Sequence, residues 1–165
     1  MKQKAGWQIG LLMWLLTALG AQAQTDSELI RAVISDETDA FYARDKARWS
    51  SAWVHKSYVS LTASLHGGNF LLLDGWEKIE KQFAGYFSRQ RKGEPVQIQH
   101  DNFSLHQNGN MAFVTYDQTL SDNRGRTASR ESRVLERING QWKLVSVVAI
   151  SRLREFTLAQ SAGRH

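Results

Sequence analysis

The stretch that decides the fold is RVLERINGQWKLV, residues 133–145, near the C-terminal end of the chain. Polar and apolar side chains alternate after Asn139-Gly140, from Gln141 to Leu144, and alternation with period two is typical of β-strands. Asn and Gly tolerate the positive φ angles that a tight hairpin turn requires. We therefore predict two antiparallel strands, Thr127–Ile138 and Gln141–Ser151, joined by this turn.

The same period continues toward the N-terminus of this stretch. Val96–His106 and Met111–Leu120 alternate in the same way, with the turn sequence NGN at residues 108–110 between them. A longer polar turn at residues 122–125 connects this pair to the closing hairpin. Four consecutive strands joined by short turns predict an antiparallel meander.

The N-terminal half of the domain has helical periodicity instead. Apolar side chains recur at three- and four-residue steps over Ser27–Ala43, which predicts an amphipathic helix with Asp26 or Ser27 as its N-cap. Asp45 is predicted to cap a second, short helix.

Two short strands and a third helix follow. Tyr58–Thr62 and Phe70–Leu73 are predicted as strands around a turn at residues 66–69. Asp74 and Glu77 have the spacing of a capping box, which would start the third helix. Three helices before a long meander predict an α+β fold in which the helices pack on one face of a curved antiparallel sheet.

The first 23 residues have the pattern of a secretory signal peptide. Lys2 and Lys4 precede an apolar run, Ile9–Leu19, and the small-x-small sequence AQA ends at Ala23. We expect cleavage between Ala23 and Gln24, and hence a periplasmic or secreted protein. The folded domain is expected over residues 24–152, with a tail over 153–165.

The composition excludes several kinds of site. The chain has no cysteine, which rules out disulfides, a thiolate nucleophile and zinc sites with cysteine ligands. The net charge of +5 falls by two when the two signal-peptide lysines are removed, which is too mild to suggest a nucleic-acid partner. His100 and His106 would share one strand face about 20 Å apart, too far for one ion. We expect no metal and no cofactor.

The last strand is apolar on both faces. Strict alternation places one set on one face, Leu144, Val148 and Ile150, and the other set on the opposite face, Val145, Val147 and Ala149. The helices can cover only one face of the sheet. The other is therefore expected to meet a second subunit, which predicts a homodimer through the outer sheet face.

The order of these segments resembles the nuclear transport factor 2-like (NTF2-like) superfamily, in its SnoaL-like or ketosteroid-isomerase-like branch. The resemblance is carried by FYARD at 41–45, WVH at 53–55, GWEKI at 75–79 and the hairpin at 133–145, and it spans about residues 25–152. It implies a cone-shaped sheet around helices, a pocket inside the cone and frequent dimerisation. It does not imply one reaction, because this fold has many functions.

Ketosteroid-isomerase-like catalysis would need a carboxylate base in an apolar pocket together with hydroxyl donors. Tyr42 is a candidate donor, and His55 is the remaining titratable candidate for acid or base. Many relatives resemble the pattern Trp-x-x-x-His-x-His in the last strand. This chain has Ser146 and Val148 at those two positions, which lowers the expectation of catalysis.

Strand alternation leaves the polar lining of the cone open. Arg130, Ser132 and Val134 share one face, and Glu131, Arg133 and Leu135 share the other. With the Arg130 face inward, the cavity would contain a cation suited to an anionic ligand. With the other face inward, Glu131 and Arg133 could neutralise each other.

The leading hypothesis is a module that binds a small apolar or weakly anionic molecule. An isomerase, cyclase or dehydratase and a structural dimerisation domain are the alternatives. The candidate pocket residues are Trp53, Tyr58, Trp76, Tyr116, Arg130 and Ser146.

Overall fold

The computed structural model describes residues 25–65, 68–89, 95–123 and 125–151. The predicted signal peptide with its cleavage site, the tail over 153–165, and part of the turn at 66–69 lie outside the described residues. The elements in chain order are α1 (Asp26–Ala43), α2 (Lys46–Ser51), β1 (Ser60–Ser64), β2 (Phe70–Asp74), α3 (Trp76–Phe87), β3 (Gln97–Asn108), β4 (Met111–Asp122), β5 (Gly125–Ile138) and β6 (Gln141–Ser151).

One six-stranded sheet has the order β2-β1-β6-β5-β4-β3. The antiparallel meander from β3 to β6 is confirmed. The sheet as a whole is mixed, because β1 runs parallel to β6, with Ser60 opposite Ser146. Period two predicts the strands but says nothing about which distant strands pair, so the parallel contact was not predicted. The predicted α+β class, with helices packed on one face of a curved sheet, is confirmed.

The hairpin at the end of the chain forms as predicted. Asn139 has φ 50° and Gly140 has φ 80°, so both residues of the two-residue loop adopt the left-handed conformation of a tight hairpin turn. This geometry pairs Ile138 directly with Gln141 and fixes the register of β5 against β6.

The helix caps agree with the prediction at one helix and differ at two. Asp45 caps α2 by accepting a hydrogen bond from the backbone N–H of Arg48. The N-cap of α1 is Thr25, not Asp26 or Ser27, because Thr25 and Glu28 form a reciprocal capping box.

The capping box predicted at Asp74 and Glu77 is absent from α3. Asp74 remains in β2, where it pairs with Ser60, and Gly75 takes the N-cap position with φ 91° and no side-chain hydrogen bond. The strand therefore extends one residue further than expected and removes Asp74 from the helix start.

A β-bulge in β6 changes which side chains face the helices. Leu135 pairs with Leu144 while the preceding residue of β5, Val134, pairs with Ser146, so Val145 is the extra residue of β6. Leu144 consequently lies on the inner face with Val147, and the expectation that it shares a face with Val148 was wrong. One inserted residue reverses alternation on one side of the bulge.

Helices cover the inner face of the sheet. α1 contacts α2 and β6, and α3 contacts β1 and β2. The core between these layers contains fully buried Ile30, Ile34 and Ile79 from the helices. In the described parts of the chain, no helix combines the length and the apolar character needed to cross a membrane.

Candidate functional site

A cavity of about 350 Å³ lies between α1, α3 and the inner face of the sheet. Its exposed lining residues, Leu65, Thr127, Ala128 and Ser151, mark the side that faces solvent. Most of the remaining wall is apolar or aromatic: Phe41, Trp49, Leu61, Ala63, Leu71, Phe83, Leu120, Val147 and Ala149. The cavity falls in the size range of small-molecule sites.

A buried ion pair on β5 supplies part of the polar lining. Glu131 and Arg133 face inward, with side chains only 2% and 6% exposed, and Arg133 Nη1 donates to Glu131 Oε2 at 2.9 Å. The Ser129 hydroxyl donates to the other oxygen of Glu131. The arrangement in which Glu131 and Arg133 neutralise each other is therefore the one that the structure shows.

Glu37 on α1 supplies a second buried carboxyl group. The sequence did not lead us to predict it as a site residue. Its Oε1 accepts hydrogen bonds from the indole N–H groups of Trp49 at 2.9 Å and Trp53 at 3.3 Å. Burial raises the pKa of Glu37 above its ordinary value, and Arg133 and the two indoles oppose that shift only in part. The sequence does contain a signal, because Glu37 continues the buried helical stripe of Ile30 and Ile34.

Arg133 is the cation that faces both carboxyl groups. Burial alone would lower the pKa of Arg133, but the neighbouring Tyr116, Glu131 and Glu37 outweigh burial and raise it. The guanidinium therefore remains charged. Its Nε is buried and has no hydrogen-bond partner among the described residues.

Two tyrosines lie near this charged group. Tyr42 lines the cavity, and burial, together with the charge of Glu131, raises the pKa of its phenol. Tyr116 is fully buried and stacks on Phe103 at 4.7 Å outside the cavity lining. Its hydroxyl approaches Thr38 without good hydrogen-bond geometry. Burial also raises the pKa of Tyr116, so both phenols are protonated donors at neutral pH.

The remaining predicted pocket residues lie away from the cavity lining. Trp53 is buried behind it, bound to Glu37, and Trp76 packs in the core with 8% exposure. Tyr58 is 59% exposed and donates from its hydroxyl to Glu136 at 2.6 Å. Burial in a core layer or exposure at the surface thus removes each of these aromatic side chains from contact with a ligand in the cavity.

Arg130 and Ser146 lie on the outer sheet face. On both β5 and β6 it is the neighbouring residues along the strand whose side chains point inward. Arg130 binds Asp117 at 3.2 Å, and Ser146 shares a 2.9 Å hydrogen bond with Ser60. Neither contributes to the cavity lining.

The three histidines that the structure describes lie apart from one another, and none of them lines the cavity. His55 is exposed, stacks on Trp76 at 4.1 Å and has Nε2 2.9 Å from the Ser50 carbonyl oxygen. His100 faces inward and bonds Gln118, whereas His106 pairs with outward-facing Phe113. A bulge between Asp101 and Ser104 reverses the alternation, so the prediction that both histidines share a face was wrong. Among the described residues, no group of three or more His, Asp or Glu could hold a metal ion.

Helices enclosed by a curved mixed sheet, with a cavity at the inner face, define an NTF2-like α+β protein. The family model for the SnoaL-like domain matches residues 30–149, and the chain belongs to this family. Among curated proteins, no sequence relative of this chain was found.

Solved structures give the same result for the fold. An NTF2-like protein of unknown function from Pseudomonas putida has a TM-score of 0.62 at 13% identity, over 82% of this chain and 94% of that one. The association domain of CaMKII from C. elegans has a TM-score of 0.60 at 24% identity, over 74% and 93%. A candidate dehydratase of the NTF2-like family from Streptomyces avermitilis has a TM-score of 0.60 at 17% identity, over 78% and 97%. At these identities the likeness shows the fold alone.

Proposed function

We propose that the protein is exported and binds a small, largely apolar molecule inside the cone. The observation that carries this proposal is the cavity of about 350 Å³, which has mostly apolar walls and buried charged groups at Glu37, Glu131 and Arg133. Small-molecule sites commonly combine such walls with a few polar groups that orient the ligand. Export is supported by the signal-peptide pattern of residues 1–23.

The first experiment is native mass spectrometry of residues 24–165 purified from the exported fraction. We expect a defined extra mass per subunit, which would give the formula of the retained ligand. A protein without retained mass would then be titrated with N-phenyl-1-naphthylamine, an apolar dye that fluoresces when it leaves water.

A pair of variants on one strand tests whether the dye enters the cavity. Ala149 lines the cavity and Ile150 faces outward, so Ala149→Phe fills the site and Ile150→Phe leaves it open. We expect the first variant to lose dye binding and the second to retain it, with urea unfolding confirming that both fold. Equal binding by both variants would contradict the proposal.

We also propose a homodimer through the outer sheet face. That face exposes Leu72, Phe113 and Ile150 by 69%, 49% and 39%, and half-buried Val148 lies among them on β6. Exposed apolar side chains grouped on one face are typical of protein interfaces. Light scattering should give twice the subunit mass for the wild type and a single subunit mass for Val148→Lys. A monomeric wild type would overturn this proposal.

Catalysis of the isomerase, cyclase or dehydratase kind is the second candidate function. The observation in its favour is Glu37, a buried carboxyl on the cavity wall with a raised pKa, beside the protonated phenol of Tyr42. Glu37→Gln and Tyr42→Phe should then each abolish turnover of a genuine substrate, whereas His55→Ala should not. Unchanged turnover in both cavity variants would remove this candidate. A purely structural dimerisation domain is less favoured, because it has no need of the cavity.

A further inference from the structure

The inner wall of the cavity contains more acidic than basic groups. Glu37 and Glu131 are 6% and 2% exposed, and Arg133 is the buried cation between them. Arg133 already donates to Glu131 at 2.9 Å, so these two charges balance. An anionic ligand in the cavity would meet two buried carboxyl groups and a single cation that is already paired with Glu131, and placing like charges together is costly.

Glu37 is the acidic group that this balance leaves over. Its Oε1 is occupied by the two indole N–H groups, but no described residue donates a hydrogen bond to its Oε2. The side chain lines the cavity while more than nine-tenths of the residue is buried. A buried carboxyl with one unpaired oxygen at the wall of an apolar cavity is a site for a donor on the ligand.

Aromatic side chains surround the same part of the cavity. Phe41, Tyr42, Trp49 and Phe83 all line it, and the ring centroids of Phe41 lie 5.4, 6.3 and 5.2 Å from those of Tyr42, Trp49 and Phe83. Aromatic faces attract cations, and they do so more strongly where water is excluded. Aromatic walls around a buried carboxyl favour a ligand with a positive charge.

We propose that the cavity selects apolar ligands that carry a protonated amine, with the ammonium group bound by Glu37 Oε2 and the aromatic side chains around it. This inference rests on the proposed binding function and narrows its ligand class. It favours a cationic head group over the weakly anionic one expected from the sequence.

Three probes with the same ring skeleton separate the two proposals: 1-naphthylmethylamine, 1-naphthalenemethanol and 1-naphthoate. Isothermal titration of the folded domain at neutral pH should give the amine the highest affinity, about tenfold or more above the neutral alcohol, and the carboxylate the lowest. Equal affinities, or a preference for the carboxylate, would overturn the amine inference and leave the binding function standing. Failure of all three to bind would overturn both.

A matched pair of variants assigns the preference to Glu37. Glu37→Gln retains an oxygen that can accept from the indoles and removes the charge. Asp36→Asn removes one charge from the exposed side of the same helix, where Asp36 pairs with Arg48. We expect Glu37→Gln to bind the amine and the alcohol about equally, and Asp36→Asn to keep the wild-type preference. An amine preference that survives Glu37→Gln would contradict the inference.

Discussion

Replacement of Arg133 by Met should be among the most destabilising single changes in the chain. The Arg133 and Glu131 side chains are 6% and 2% exposed and 2.9 Å apart, so the substitution leaves a buried carboxylate without its cation. Breaking a buried ion pair from one side costs about 3–5 kcal/mol. Glu37 faces the same guanidinium, which adds a second carboxyl to the group left uncompensated.

A matched control lies three residues earlier on the same strand. Arg130 makes its ion pair with Asp117 on the outer face at 3.2 Å, and its side chain is 46% exposed. Solvent screens such a pair, so Arg130→Met should cost only about 0–1 kcal/mol. Met is similar in length to Arg, and both variants carry the same Arg→Met change. The comparison therefore isolates the effect of burying the charge.

Urea unfolding at pH 7, followed by tryptophan fluorescence, measures both costs. We expect the Arg133→Met midpoint to fall far below that of Arg130→Met, with similar slopes. The double variant Glu131→Gln/Arg133→Met should be more stable than Arg133→Met alone, because it no longer contains the Glu131 carboxylate that the single variant leaves buried without a cation. Equal costs for the two single arginine variants would refute the reasoning.

Three further changes follow from local structure. Because burial raises the pKa of Glu37, this carboxyl ionises at a lower pH in the unfolded chain than in the folded one, and the wild type loses stability as the pH rises. The stability of Glu37→Gln relative to wild type should therefore increase from pH 4 to pH 8 in urea titrations. A constant difference would contradict this. Gly140→Ala should cost about 1 kcal/mol or more at φ 80°, whereas Gly85→Ala, inside α3 with open space around it, should stabilise by about 0.5–1 kcal/mol, as thermal unfolding would show. Thr25→Ala should cost about 1 kcal/mol by loss of the cap, and Ser27→Ala much less, in the same assay.

Local patterns in the sequence predicted the parts of the fold that depend on neighbouring residues. Period two placed the long strands, and Asn139-Gly140 placed the tight turn, because both depend on the backbone preferences of a few adjacent residues. The bulge at Val145 could not be found this way. It depends on how β6 curves against β5, and it alone decides the face on which Leu144 lies.

The candidate site was harder to predict than the fold. Tyr42 was predicted from the sequence as a candidate donor, and its side chain lines the cavity. Whether Arg130 or Arg133 faces inward could be decided only from the three-dimensional register of β5. Glu37 was overlooked because a charged residue on a helix is normally exposed. Helical periodicity does place Glu37 on the buried stripe of α1, but the indole donors that pair with it lie 12 and 16 residues away, and periodicity does not show them.

The parallel contact between β1 and β6 has a consequence for how the chain folds. It joins residues 86 positions apart, so the six-stranded sheet closes only after almost the whole domain has left the ribosome. Contacts of such long sequence separation slow folding, because the loop entropy is lost before the contact is gained. Until β6 has been synthesised, the β1–β2 hairpin has no partner strand along β1, so these two strands cannot join the rest of the sheet.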